Sequence, residues 1–138
     1  MSFWVLKTEP SVYSFDDLLR DGSTYWEGVR NYQARNNLRA MKKGDTAFIY
    51  HSVDQKLVCG TARVTREVYA DPTDKTGEWS VVEISPLKKF SRPVALAQFK
   101  ADPVLKGTAL VRQSRLSVVP LSDKEANRIV ELSKESPL

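Results

Sequence analysis

The sequence predicts an α+β fold with a strongly curved or closed sheet, and three observations carry that prediction. Strand-like and helix-like stretches are mixed without the regular strand-helix-strand alternation of a parallel sheet. The strands in the middle of the chain are separated by turn-forming loops, so they pair as hairpins and the sheet bends. Apolar residues recur from Phe3 to Val130 with no internal repeat, low-complexity tract or Pro/Gly/Ser-rich linker, and 138 residues at 41% hydrophobic supply one ordinary core. Residues 1–138 therefore read as a single domain.

Phe3 to Lys7 reads as the opening strand, followed by the loop Thr8-Glu9-Pro10-Ser11. Ser14 is placed as the N-cap of a short helix, with Asp17 at its third position, Phe15, Leu18 and Leu19 turned inward and Gly22 as terminator. Asn31 caps a second helix in which Ala34, Leu38 and Met41, spaced by four and three, form the buried stripe. Lys42 and Lys43 complement the negative end of its dipole, and Gly44 is expected to supply the left-handed C-cap. Thr46 to His51 and Leu57 to Arg66 are strands joined by the hairpin loop Ser52 to Gln55. In the second of them Val58, Gly60, Ala62 and Val64 take one face and Cys59, Thr61, Arg63 and Thr65 the other, the period of a half-buried strand. Ala70 to Glu78 has turn chemistry at both ends and nothing apolar between, so it is expected to be an exposed, mobile loop and a candidate lid. Trp79 to Ser85 follows as a strand, Ala95 to Lys100 as a short helix stopped by Asp102-Pro103, and Leu116 to Leu121 as the last strand. A final helix opens on Ser122 and Glu125, spaced as a capping box, and buries Ala126, Ile129 and Val130.

Composition narrows the chemistry. With 21 Lys+Arg against 17 Asp+Glu the formal net charge is +4, a mildly basic surface that attracts polyanions without requiring one. No apolar run approaches the roughly 18–20 residues of a membrane helix. Met1 to Lys7 lacks the basic segment and small-residue cleavage site of a secretory signal, so a cytoplasmic protein with no membrane partner is expected. Cys59 and His51 are each alone of their kind, which leaves no internal disulfide and no Cys/His zinc cluster; no metal and no cofactor are expected.

Three segments place polar and aromatic groups at strand ends where packing alone does not ask for them: Lys7 to Ser11, Trp26 to Asn31 and Val111 to Arg115. Trp26 has two readings, a face on which a base stacks for about 1–3 kcal/mol or a core tryptophan. Arg35, Arg39 and Lys42 share one side of the second helix with Arg30 on its approach; they either track phosphates or form a solvated face. Arg112 and Arg115 flank Gln113 and Ser114 in a second basic loop. Lys7 and Glu9 around Thr8 form either a proton-relay set for amide hydrolysis, if burial lowers the lysine pKa, or a structural pair. Tyr50-His51-Ser52 offers hydrogen-bonding groups at a strand end, and a lone histidine is more often structural than catalytic.

The runs Trp4 to Ser11, Trp26 to Leu38 and Arg112 to Val118 strongly resemble EVE-domain proteins, as do Tyr50-His51-Ser52 and Tyr69-Ala70-Asp71-Pro72-Thr73, so the resemblance covers almost the entire chain. It implies a PUA-like mixed-sheet pseudobarrel surrounded by helices, related to YTH domains, which read methylated adenine in RNA through an aromatic cage. The opening is similar to theirs: a strand ending in Lys and Thr, a helix carrying Asp16 and Asp17, and a tryptophan as cage wall, matched by Trp26. On that correspondence Lys7 and Thr8 line the pocket and the backbone around Glu27 faces the edge of the base, while Tyr69 is only a candidate second aromatic.

The resemblance implies recognition of modified bases, 5-methylcytosine and its oxidised relatives among them, after the base is flipped from the stack. The expectation is a non-catalytic, monomeric module that binds DNA or RNA carrying such a base. Its pocket is expected to draw on Trp4, Lys7, Thr8, Glu9 and Ser11, on Trp26, Glu27, Gly28 and Asn31, on Tyr50, His51 and Ser52, and on Ser114. Phosphates are expected on Arg30, Arg35, Arg39, Arg112 and Arg115. The alternative is a small amidohydrolase acting on an acylated nucleoside through Lys7, Thr8 and Glu9, suggested by hydrolases of the related ASCH group.

Overall fold

The computed structural model describes residues 1–27 and 29–134. The chain opens with β1 (Phe3–Thr8) and α1 (Phe15–Asp21), whose capping box is formed as the residues predict: the Asp17 amide donates to Ser14 Oγ at 3.0 Å and the Ser14 amide to Asp17 Oδ2 at 2.9 Å. Gly22, at φ 77°, ends the helix in the left-handed conformation. A two-residue strand, β2 (Thr24–Tyr25), follows, too short to leave a periodic signal in the sequence. Asn31 then caps α2 (Tyr32–Ala40), accepting the Ala34 amide at 2.9 Å.

The expectation for Gly44 is corrected here. The C-cap of α2 is Met41, in extended conformation, and Gly44 at φ 94° serves the next turn, where its amide donates to the Val64 carbonyl at 2.8 Å. That turn leads into β3 (Thr46–His51) and the long hairpin of β4 (Leu57–Ala70) and β5 (Ser80–Ala95). β5 runs well past the predicted end at Ser85. Pro86, which reads as a strand breaker, is accommodated opposite Ala62 at an irregularity in the ladder, where a missing amide costs no regular hydrogen bond. The chain closes with α3 (Leu96–Ala101), the short α4 (Ala109–Arg112), β6 (Val118–Leu121) and α5 (Asp123–Ser133), which carries the predicted Ser122/Glu125 capping box.

The six strands form one sheet in the order β2-β5-β4-β3-β1-β6, with β1 parallel to β3 and the other pairs antiparallel. α2 packs against both β6, at one edge, and β5, four strand positions away. Flat strands at about 4.8 Å spacing would set those two roughly 19 Å apart, wider than one helix with its side chains. The sheet therefore curls around α2 as a pseudobarrel, and repeated register shifts between β4 and β5 supply the bend. Cys59 and Thr61 are buried like Val58 and Ala62, so the expected half-solvated face is lost in this part of β4. At Gly60 a Cβ would lie 2.7 Å from the ring of Phe15 and 2.4 Å from the Lys88 carbonyl, so its absence lets α1 sit directly on the strand.

Candidate functional site

Parallel pairing brings the C-terminal ends of β1 and β3 side by side, Thr8 opposite His51, and the loops that leave them form one end of the barrel. There a cavity of about 280 Å³ opens between Lys7 and Thr8, the Val12-Tyr13 turn, and the segment from Thr24 to Glu27 that begins as β2. Trp26 is its indole wall. The residue is 7% exposed and its amide donates to the Val82 carbonyl at 2.8 Å, continuing the β2–β5 ladder, so the ring is rooted in the core and still borders open space. The two readings of this tryptophan are thus not exclusive.

Tyr13 meets Trp26 edge to face, ring centroids 6.2 Å apart at 85°. Its hydroxyl donates to Asp21 at 2.8 Å; burial and this acidic partner raise its pKa and keep the phenol neutral. Thr8 Oγ1 donates to the Tyr13 carbonyl at 2.7 Å, locking the turn to the strand end. Lys7 Nζ donates to the Ser114 carbonyl at 2.9 Å and lies 5.9 Å from the Tyr50 ring centroid; burial of the ammonium lowers its pKa.

Ser114 belongs to a second hollow of about 310 Å³, with Asn31 and Gln33 on one side and Arg112 to Leu116 on the other. The Lys7–Ser114 bond joins the two spaces. Among the described residues neither Arg112 nor Arg115 forms an ion pair, so both guanidinium groups face solvent beside the cavity.

The arginines around α2 are placed differently. Arg30 pairs with Asp71 Oδ2 at 3.2 Å and with Thr73 Oγ1 at 3.3 Å, and Asp71 has no exposed side-chain surface. Arg39 donates to Ser80 Oγ at 3.2 Å and to the Glu78 carbonyl at 3.0 Å. Arg35 stacks over Tyr32, 4.8 Å from the centroid, and Tyr32 stacks on Trp79 at 5.1 Å. These contacts clamp the β4–β5 connection, which the sequence alone presents as a mobile lid: Asp71 is buried, and Asp74 accepts the amides of Thr76 and Trp79 at 3.0 Å each.

Residues 2–132 match the sequence profile described as EVE domain. The chain belongs to the EVE domain family. Human thymocyte nuclear protein 1 is 31% identical to it over 170 aligned positions, which cover 99% of this chain and 76% of that protein. Among solved structures, a protein from Rhodopseudomonas palustris superposes with a TM-score of 0.92 at 40% identity, spanning 97% of this chain and 94% of the other. Human THYN1 protein in complex with 5-methylcytosine containing DNA superposes with a TM-score of 0.89 at 32% identity, spanning 99% and 100%. An ASCH protein from Zymomonas mobilis, at 13% identity and a TM-score of 0.59 over 96% of this chain and 99% of the other, shares the fold.

In this EVE domain the residues expected at the pocket are distributed over several places. Lys7, Thr8, Trp26 and Glu27 border the cavity, whereas Asn31 and Ser114 border the second hollow. Trp4 lies in the core, its indole N–H donating to Asp45 at 3.0 Å, and Tyr50 is buried under the Lys7 side chain. His51 Nε2 accepts the Phe15 amide at 3.0 Å and Nδ1 faces Gln55 Oε1 at 2.7 Å, so the ring carries its proton on Nδ1 and anchors the start of α1. Ser52 holds β1 through its amide, which donates to the Thr8 carbonyl at 2.9 Å, and Glu9 contributes its carbonyl to the following turn. Neither Glu9, Ser11 nor Ser52 borders the cavity, and Gly28 lies outside the described residues. Tyr69 packs against Arg66 at 3.7 Å, away from the cavity. The aromatics sequence reasoning missed are Tyr13 and Tyr25; the one available signal was that each is an aromatic beside a segment already marked as functional.

Proposed function

We propose that this EVE domain is a non-catalytic nucleic-acid-binding module that takes a modified base, 5-methylcytosine or an oxidised relative, into the Trp26 cavity. The observation that carries the reading is the cavity itself: an indole wall with a second ring against it, donors on its rim, and in the adjoining hollow two arginines without an acidic partner among the described residues. Stacking on the indole offsets the cost of extruding a base, and Lys7 Nζ, already directed at an oxygen acceptor, is a donor suited to the acceptor edge of a pyrimidine. The likeness to human THYN1 protein in complex with 5-methylcytosine containing DNA supports the same reading.

The chemistry of the site favours binding over turnover. His51 has both ring nitrogens engaged, the Cys59 thiol is pushed up to about 11 by burial, Glu9 does not join Lys7 at the cavity, and the Thr8 hydroxyl and the Lys7 ammonium donate to the carbonyls of Tyr13 and Ser114 rather than to each other. Titration of labelled oligonucleotides with and without 5-methylcytosine tests the proposal. Trp26→Ala is expected to lower affinity for the modified oligonucleotide by about 5- to 150-fold, the equivalent of one base-aromatic stack. Trp26→Phe, which keeps a ring in the core, controls for loss of structure. Equal affinity for all oligonucleotides, indifferent to both substitutions, would remove the reading. Turnover of N4-acetylcytidine that disappears in Lys7→Ala would establish the amidohydrolase alternative in its place.

A further inference from the structure

Val12 is 75% exposed, and it stands at the mouth of the Trp26 cavity. Its exposure is not a matter of a loose loop. The amides of Val12 and Tyr13 both donate to the Glu9 carbonyl at 2.9 Å, and Thr8 Oγ1 grips the Tyr13 carbonyl, so a rigid turn holds the valine outward. The adjoining loop repeats the pattern. Val53 is 57% exposed and held at φ 70°, a conformation that β-branched residues avoid, and the Ser52 amide ties this loop to the end of β1 at Thr8. Two bare apolar side chains thus sit on braced loops at the end of the barrel where the cavity opens, Val12 at its mouth.

A valine held outward at the mouth of the cavity gains nothing from phosphates and calls for an apolar partner. A base stack opened at one position is such a partner: its two exposed base faces are flat, apolar and adjacent to the space the extruded base has left. We propose that the Glu9–Tyr13 turn is a wedge whose Val12 side chain enters the gap in a double helix while the extruded base occupies the cavity. This rests on the base-reading proposal and adds to it a preferred substrate form, a duplex that must be opened rather than a strand already single.

The full chain can be tested with three probes carrying the same modification: free 5-methyl-2′-deoxycytidine, a single-stranded oligonucleotide with one 5-methylcytosine, and the matching duplex. Val12→Ser keeps a small β-substituted side chain and, at so exposed a position, leaves the melting temperature unchanged. Its affinity for the duplex is expected to fall about ten-fold more than its affinity for the nucleoside and the single strand, the effect of losing one valine buried only in the duplex. The loss is expected to be the same at low and high salt, and 2-aminopurine placed next to the modified base should brighten less on binding than with the unaltered protein. An equal loss on single strand and duplex, or no loss on the duplex, overturns the wedge while leaving the base-reading proposal intact. Failure of the unaltered protein to prefer any of the three modified probes over its unmodified form overturns both.

Discussion

Two clusters of aromatic rings and cations lie on or beside the stretch between β2 and the end of α2, and they differ in one respect that decides what each can do. Around Tyr32 and Trp79 the rings stack on each other and Arg30, Arg35 and Arg39 direct their donors at the β4–β5 connection. Around Trp26 the rings meet edge on and leave about 280 Å³ of space, and the nearby Arg112 and Arg115 have no acidic partner among the described residues. The first cluster is a filled clamp, the second an open site. Rings and guanidinium groups in a sequence announce affinity for flat and anionic things, but whether the protein itself already supplies them is settled only by packing.

The comparison breaks most readily at Arg30. Its removal takes the guanidinium away from the buried Asp71 carboxylate, which keeps the amide and hydroxyl of Thr73, and Arg30→Ala is expected to cost about 1–2 kcal/mol in a urea titration. That is below the roughly 3–5 kcal/mol of a fully buried pair because the arginine side chain is 42% exposed. Binding of an oligonucleotide with one modified base should hold. If affinity fell while stability stayed, the arginine would be a phosphate ligand and the contrast between the clusters would vanish.

The converse pattern is expected at the open site. Arg112→Ala combined with Arg115→Ala should change stability by less than about 0.5 kcal/mol. The slope of log affinity against log salt for an oligonucleotide should shrink by about two, one unit for each phosphate that the protein no longer neutralises. An unchanged slope would place the phosphates elsewhere.

The smallest effect concerns pH. Hydrogen bonds from the Thr76 backbone, then those from Trp79 and the Thr76 hydroxyl, hold the Asp74 carboxyl down at about 2, against an ordinary 3.8. A carboxylate whose pKa is depressed on folding contributes fully above its ordinary value and loses that contribution as the pH falls through the depressed one. The clamp should therefore loosen between about pH 4 and 2, seen as a change in Trp79 fluorescence, with Asp74→Asn already loosened at neutral pH and flat across that interval. A transition of the same size in Asp74→Asn would assign it to another group.

Much of the local architecture is legible in the sequence because it depends on groups a few residues apart. Ser14 with Asp17, Asn31 with Ala34, and Ser122 with Glu125 all cap the helices they are expected to cap, since a side-chain oxygen three residues before an amide has little else to bond. The sequence ends β5 too early because Pro86 looks prohibitive until a ladder irregularity is known to lie opposite it. Likewise the 70–78 loop reads as mobile from its polarity, yet its carboxylates are engaged within the loop and by an arginine far away in sequence.

What the residues determined alone was therefore most of the elements, though neither β2 nor α4, the absence of a Cys/His metal cluster, and the family to which the long motif runs belong. The curl of the sheet decided the rest. It placed Tyr13 against Trp26, hung the 112–115 loop over Lys7, and buried Trp4, Tyr50 and His51 in supporting positions. A motif states which groups are near one another along the chain, whereas the site joins a cavity built from residues 7–27 to a hollow reached by a hydrogen bond between residues 107 apart, and only packing fixes which side chains face an empty space and which face each other.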